Sequence, residues 1–180
     1  AFFALILAIA RATYLLALEC GGSRQVARLA VVLLLSMTTF VYVAIEIRPD
    51  VPQVFFGVLS VLFLVRLFRT RARRHAVYAG MAAALSFVFL QKAIFALAAY
   101  PLLFLFHVSR RQLPWRAGLW FAAAFALTCM PFVGYLLATG SLDDYLITNW
   151  FLNLRVGASD ARVSFLKPDV LRDFARNALF

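Results

Sequence analysis

Apolar runs of bilayer-crossing length, separated by short clusters of arginine, leave this chain few ways to fold. Backbone polar groups find no water in the hydrocarbon region, so a spanning segment satisfies them within its own helix. Such a helix takes about 20 mostly apolar residues. Ala1–Leu18, Leu29 to Ile45, Val51–Phe68 and Ala117–Ala138 each approach that length. Hydrophobic residues make up 64% of the chain, against about 45–50% in a soluble domain. The sequence therefore predicts an all-α, polytopic transmembrane helix bundle of about five to six membrane segments, two of them forming a short or broken helical hairpin.

The formal net charge of +10 would suit a nucleic-acid surface, but the placement of the cations argues against one, because they lie between the apolar runs and not along one polar face. In a membrane protein such clusters mark the cytoplasmic side. Three of them, at 19–28, 66–75 and 109–116, fix the direction of every intervening segment. The deciding stretch is Ala76–Val108, apolar apart from Gln91-Lys92. As one helix it would run about 50 Å, too long for a hydrocarbon core of about 30 Å. It would also put Arg110, Arg111 and Arg116 on the side opposite Arg66, Arg69, Arg71, Arg73 and Arg74. Two arms, Ala76–Leu90 and Ala93–His107, of about 23 Å each, return both clusters to one side. The sequence thus predicts a reversal at Gln91-Lys92.

That parity gathers an unusual set of charges on the opposite, extracytoplasmic face: Glu46, Arg48, Asp50, Lys92, Asp143 and Asp144. A charge at the bilayer centre costs about 2.5–3.5 kcal/mol on insertion scales, so these groups belong at a surface or in a polar cavity. Pro49 ends the preceding helix and pushes Arg48 towards extended geometry. Asp50 and Gln53 have the spacing of an N-cap and its return partner for a helix starting at Val51. Arg48 and Lys92 run against the charge bias of that face, and a cationic pair there suits a phosphate or diphosphate. Glu46 and Asp50 can orient those cations, bind a divalent metal or act as a base. The plainer roles are a local ion pair for Arg48, a cap for Asp50 and a snorkelling hairpin tip for Lys92.

Elsewhere the residues read structurally. Arg11 snorkels or faces the bundle interior; Pro131 kinks the span Ala117–Ala138, and Gly134 permits close packing there. Ser141 and Asp144 have capping-box spacing for a short helix Asp144–Leu154, whose aromatics suit the lipid interface. Asp169 then caps an amphipathic helix. This divides the chain into a transmembrane bundle, 1–140, and an extracytoplasmic interfacial segment with the start of a further helix, 141–180. Cys20, Cys129, His75 and His107 fit no metal or redox spacing, so no metal ligand is assigned. The chain starts without Met inside an apolar segment, which reads as an internal fragment of a longer protein.

The order of elements resembles the polyprenyl-phosphate-sugar glycosyltransferases of the C-type membrane fold, the superfamily of protein O-mannosyltransferases and lipid A aminoarabinose transferases. The resemblance is carried by Glu46-Ile47-Arg48-Pro49-Asp50 opening a span, Gly80–Leu90 leading into Gln91-Lys92-Ala93-Ile94-Phe95, and Asn149-Trp150-Phe151-Leu152-Asn153 after a later span. It implies a multi-pass membrane enzyme that takes a sugar from a polyprenyl-phosphate carrier and transfers it to an extracytoplasmic acceptor; a bacterial inner membrane is the expected home. Arg48, Lys92, Glu46 and Asp50 would then bind the donor. Family members carry their catalytic acidic motif in a first extracytoplasmic loop, upstream of these residues, so no catalytic residue is assigned. The alternatives are a transporter or flippase of a lipid-linked or anionic substrate, for which broken apolar segments are also a sign, and a membrane subunit without a site.

Overall fold

The computed structural model describes residues 2–37, 50–90 and 93–148. All regular structure among them is helical: α1 (Phe2–Glu19), α2 (Arg24–Ser36), α3 (Asp50–Thr70), α4 (Arg73–Phe89), α5 (Ala93–Leu97), α6 (Ala99–Ser109), α7 (Trp115–Ala138) and α8 (Leu142–Leu146). The chain divides into two compact units, Ala1–Phe132 and Val133–Phe180. In the first unit α3 packs on α1 and α4, and α1 on α2. Helices α3 and α7 are each long and apolar enough to cross a membrane, and α6 is a shorter apolar helix. Large apolar side chains such as Leu102, Leu105, Leu127 and Met130 stand exposed on α6 and α7, the surface that lipid covers.

Contacts at helix ends give the directions. Val51, at the start of α3, packs with Ile9, Leu5 and Ile6 in the first half of α1. Glu19, at the end of α1, bonds Arg66 and Arg69 near the end of α3. The two helices are therefore parallel. Helix α4 runs back against α3: Ser60 Oγ donates to the Ala79 carbonyl at 3.0 Å, and Ser86 Oγ to the Gln53 carbonyl at 2.9 Å. Each serine satisfies its hydroxyl across the helix interface, a contact worth about 0.6–2 kcal/mol in a membrane.

The reversal predicted between α4 and the next apolar stretch is present. The Ala93 N–H donates to the Leu90 carbonyl at 3.0 Å, across the two residues that lie outside the described set. At the other end of the returning arm, the His107 ring stacks on Phe68 with centroids 4.0 Å apart. Residue 107 thus comes back to the arginine-rich end of α3, which a continuous span could not do. The arm is not one helix: it breaks at Ala98, between α5 and α6. Pro101 has no N–H to offer the Leu97 carbonyl, and its ring crowds that carbonyl, so the ladder restarts with Pro101 in the first turn of α6.

Helix α4 forms the spine because its side chains are small. His75, Ala76, Ala79, Gly80, Ala82, Ala83, Ala84 and Ser86 are all buried, which lets neighbouring backbones approach. Around it, Leu64 and Leu67 of α3, Tyr100 and Phe104 of α6 and Ala117 of α7 complete the main core. Gly80 is the tightest point: a Cβ there would overlap the Phe121 carbonyl oxygen and lie 3.1 Å from Ala124 Cβ. Gly134, the glycine expected to allow close packing, faces open space. Two sharp turns on the basic side use arginine in the left-handed region, Arg71 at φ 56° and Arg111 at φ 54°.

Helix α3 is described from Asp50, which lies in its first turn, with Pro52 where a missing N–H costs nothing. One expected helix start shifts. Helix α8 begins at Leu142, and Ser141, with φ −91° and ψ 7°, makes no side-chain capping bond. A cap requires extended backbone to aim its oxygen at the first turn, so the expected capping box is not formed. Helix α8 is described to Leu146; the remainder of the expected helix Asp144–Leu154 falls largely outside the described residues, and the Asp169 helix wholly so.

The glycines separate packing from helix propensity. Gly80→Ala should destabilise the full chain in detergent by about 1–3 kcal/mol through overpacking. Gly134→Ala should leave stability unchanged or raise it by up to about 1 kcal/mol. Thermal unfolding of the two variants side by side is the measurement.

Candidate functional site

The face opposite the arginine clusters is built from the start of α3 and the α4–α5 reversal. Asp50 is half-buried in the first turn of α3, where the positive end of the helix dipole favours a carboxylate. Ser86, one turn before the end of α4, is held to Gln53 in the same region of α3. Ala93 lines a cavity of 270 Å³ together with Gln53, Val54 and Gly57. The residues flanking the reversal therefore lie beside the first turns of α3. Glu46, Arg48 and Lys92 fall outside the described residues, so of the four expected donor-binding side chains only Asp50 belongs to this geometry. Asp143 and Asp144 are in the first turn of α8, in the second unit.

From the reversal an apolar groove of 660 Å³ extends between the broken arm and α7. Ile94 and Leu97 line it near the reversal, Tyr100 and Phe104 in the middle, and Val108 and Trp115 at the basic end. Its wall is ordered by aromatic contacts, with Phe121 5.6 Å from Tyr100 and 5.3 Å from Phe104 between ring centres. On the α7 side the groove is lined by the small residues Gly118 and Ala122, which leave room opposite the arm. The sequence reading did not anticipate it; the signal available was Pro101 inside an apolar arm.

The basic end holds the other polar cluster. Glu19 Oε1 accepts from Arg66 Nε at 2.8 Å, and Oε2 accepts from Arg69 Nη1 at 2.8 Å. The hydrogen bond from Arg66 holds the Glu19 carboxyl below its ordinary value, burial opposes this, and the charges of Arg66 and Arg69 add to the lowering. Next to it the Thr70 hydroxyl donates to the Arg66 carbonyl at 2.8 Å and meets His75 Nδ1 at 2.9 Å. With the Thr70 proton committed to the carbonyl, Nδ1–H is the donor to Thr70 Oγ1. Burial, then the charges of Arg74 and Arg66, push the His75 pKa below 6.5, which keeps the ring neutral near pH 7. His107 bonds Gln112 Oε1 at 2.8 Å. Cys20 and Cys129 are free. Among the described residues no three His, Cys, Asp or Glu side chains converge on a metal position.

Among the described residues the bundle is all-helical and carries two apolar helices of bilayer length, as a membrane protein requires. Over residues 1–142 the chain matches the dolichyl-phosphate-mannose-protein mannosyltransferase family, and it belongs to that family of membrane glycosyltransferases. Neither a curated protein nor a solved structure matches it.

The Glu19 tie sets an acid dependence. The folded-state pKa of Glu19 lies below its ordinary value of 4.5, so its contribution is fully present above that value and is lost as pH falls through the lowered folded pKa. His75 acts in the same direction, because the unfolded chain protonates it more readily. Unfolding midpoints of the full chain should therefore fall as pH drops below about 4.5, and Glu19→Gln should flatten that part of the profile.

Proposed function

We propose that the chain is part of a glycosyltransferase that moves a mannose-type sugar from a polyprenyl-phosphate carrier to an acceptor on the extracytoplasmic side of a bacterial inner membrane. The observation that carries the reading is the reversal between Leu90 and Ala93, with Ala93 sharing a cavity with Gln53 one turn beyond Asp50. A reversal at that level is what a donor site made from the segments around Arg48 and Lys92 requires. Family membership supports the reaction class.

In this reading Arg48 and Lys92 hold the phosphate of the donor, and bonds to its oxygens strengthen as the sugar–phosphate bond breaks and negative charge gathers on the leaving group. Asp50 and Glu46 orient the two cations or share a divalent metal with the phosphate. The acceptor hydroxyl or amine attacks the anomeric carbon from the opposite side, and the base that takes its proton lies outside the residues assigned here. The apolar groove between α5–α6 and α7 receives the polyprenyl chain: Ile94, which lines it, follows directly on the reversal, and its walls offer an isoprenoid an almost wholly apolar surface.

Labelled polyprenyl-phosphate mannose, incubated with full-length protein in vesicles, tests the proposal. Arg48→Ala and Lys92→Ala should each reduce sugar transfer on the order of 10²–10³-fold while membrane insertion is retained. Wild-type turnover in both variants would remove the assignment of the site. Movement of intact carrier across the vesicle without sugar release would mark a transporter.

A further inference from the structure

The cavity at the basic end, 560 Å³ in volume, is lined by Glu19, Arg66, Arg69, Thr70, Arg74 and His75. Three guanidiniums against one carboxylate leave an excess of two positive charges at neutral pH, with His75 uncharged. These cations are not all spread into solvent: the Arg66 side chain is only 29% exposed, and Glu19 fixes both Arg66 and Arg69 on their helix ends. The carboxylate occupies the Nε group of Arg66 and one terminal amine of Arg69. Each guanidinium has five N–H donors, so both retain donors for a second acceptor. Arg74 has no hydrogen bond or ion pair among the described residues. Arg73, its neighbour, is occupied elsewhere, over the Trp120 ring.

Immediately below the cavity the surface becomes apolar. Phe63 stacks against His75 at 6.5 Å and meets Tyr78 at 5.3 Å with the rings tilted by 50°, and Tyr78, one turn along α4 from Arg74, is 47% exposed. A cationic recess directly above an exposed aromatic flank matches a molecule with an anionic head and apolar tails. From this juxtaposition we infer that the cavity between the ends of α1 and α3 and the start of α4 binds the phosphate of an anionic phospholipid in the leaflet on the basic side. Arg74 and the free donors of Arg66 and Arg69 bond the phosphate oxygens, and the acyl chains run down over Phe63 and Tyr78. Glu19 holds two of the arginines in place, which lowers the ordering cost of binding. The site is on the face opposite the donor site, and its existence does not depend on the glycosyl-transfer reading.

The experiment measures thermal unfolding of the full-length protein in mixed micelles titrated with phosphatidylglycerol, phosphatidylcholine or inorganic phosphate. Phosphatidylglycerol should raise the midpoint and phosphatidylcholine should not. Arg74→Gln should raise the half-saturating phosphatidylglycerol concentration on the order of tenfold, the loss of a charge-assisted bond. Arg24→Gln, outside the cavity, should leave it unchanged. Arg74→Lys keeps the charge without the fork of donors and should give an intermediate shift, so it carries the comparison where Arg74→Gln does not fold. Equal responses to the two phospholipids, or equal losses in Arg74→Gln and Arg24→Gln, would overturn the site. Protection by inorganic phosphate equal to that by the lipid would overturn its assignment to a phospholipid.

Discussion

The small-residue face of α4 is the constraint on which the bundle rests. Lipid tails are as apolar as leucine, so helices in a membrane gain little from hiding leucines from their surroundings. What holds them is close backbone approach and the hydrogen bonds that approach permits. Helix α4 supplies both: an alanine-rich surface around Ala76, Ala79 and Ala83, a glycine against the α7 backbone, and Ser86 bonded to the α3 backbone. With larger residues at those positions, α3 and α7 would move apart, and Phe63, Phe68, Phe104 and Phe121 would lose the packing that fills the core.

The same closeness sets where the chain reverses. Once α4 is held against α3 by Ser60 and Ser86, its end is placed beside the first turns of α3, and the following residues have no bilayer left to cross. Pro101 lies in the returning arm, which is divided into α5 and α6 and lines the groove beside α7. The polar reversal, the apolar groove and the arginine cluster thus occupy successive depths of one unit.

Much of this was legible in the sequence, and the reasons differ by element. The direction of each helix and the reversal follow from two quantities readable without a structure, the length of apolar runs and the side on which arginines recur. The glycines were misassigned because helical periodicity does not reveal which face meets a neighbour: Gly134 looked suitable and is open, while Gly80 carries the contact. Ser141 has the right partner three residues on but the wrong backbone, and spacing says nothing about ψ. The Glu19 tie joins residues 47 and 50 positions apart; the available clue was a single carboxylate on a face otherwise cationic. Of the proposed donor site, only the positions of Asp50 and of the flanks of the reversal are described by the structure, while the roles of Glu46, Arg48, Asp50 and Lys92 rest on topology and resemblance.

The turns at Arg71 and Arg111 carry a further meaning. Left-handed backbone costs an L-residue about 1–2 kcal/mol, and glycine would relieve it at both positions. A guanidinium stands there instead, at the tip of each connection on the same side. Positive charge at such tips is what biases a connection to one side of a bilayer, so at these two positions local backbone strain coexists with the charge that orients a membrane protein.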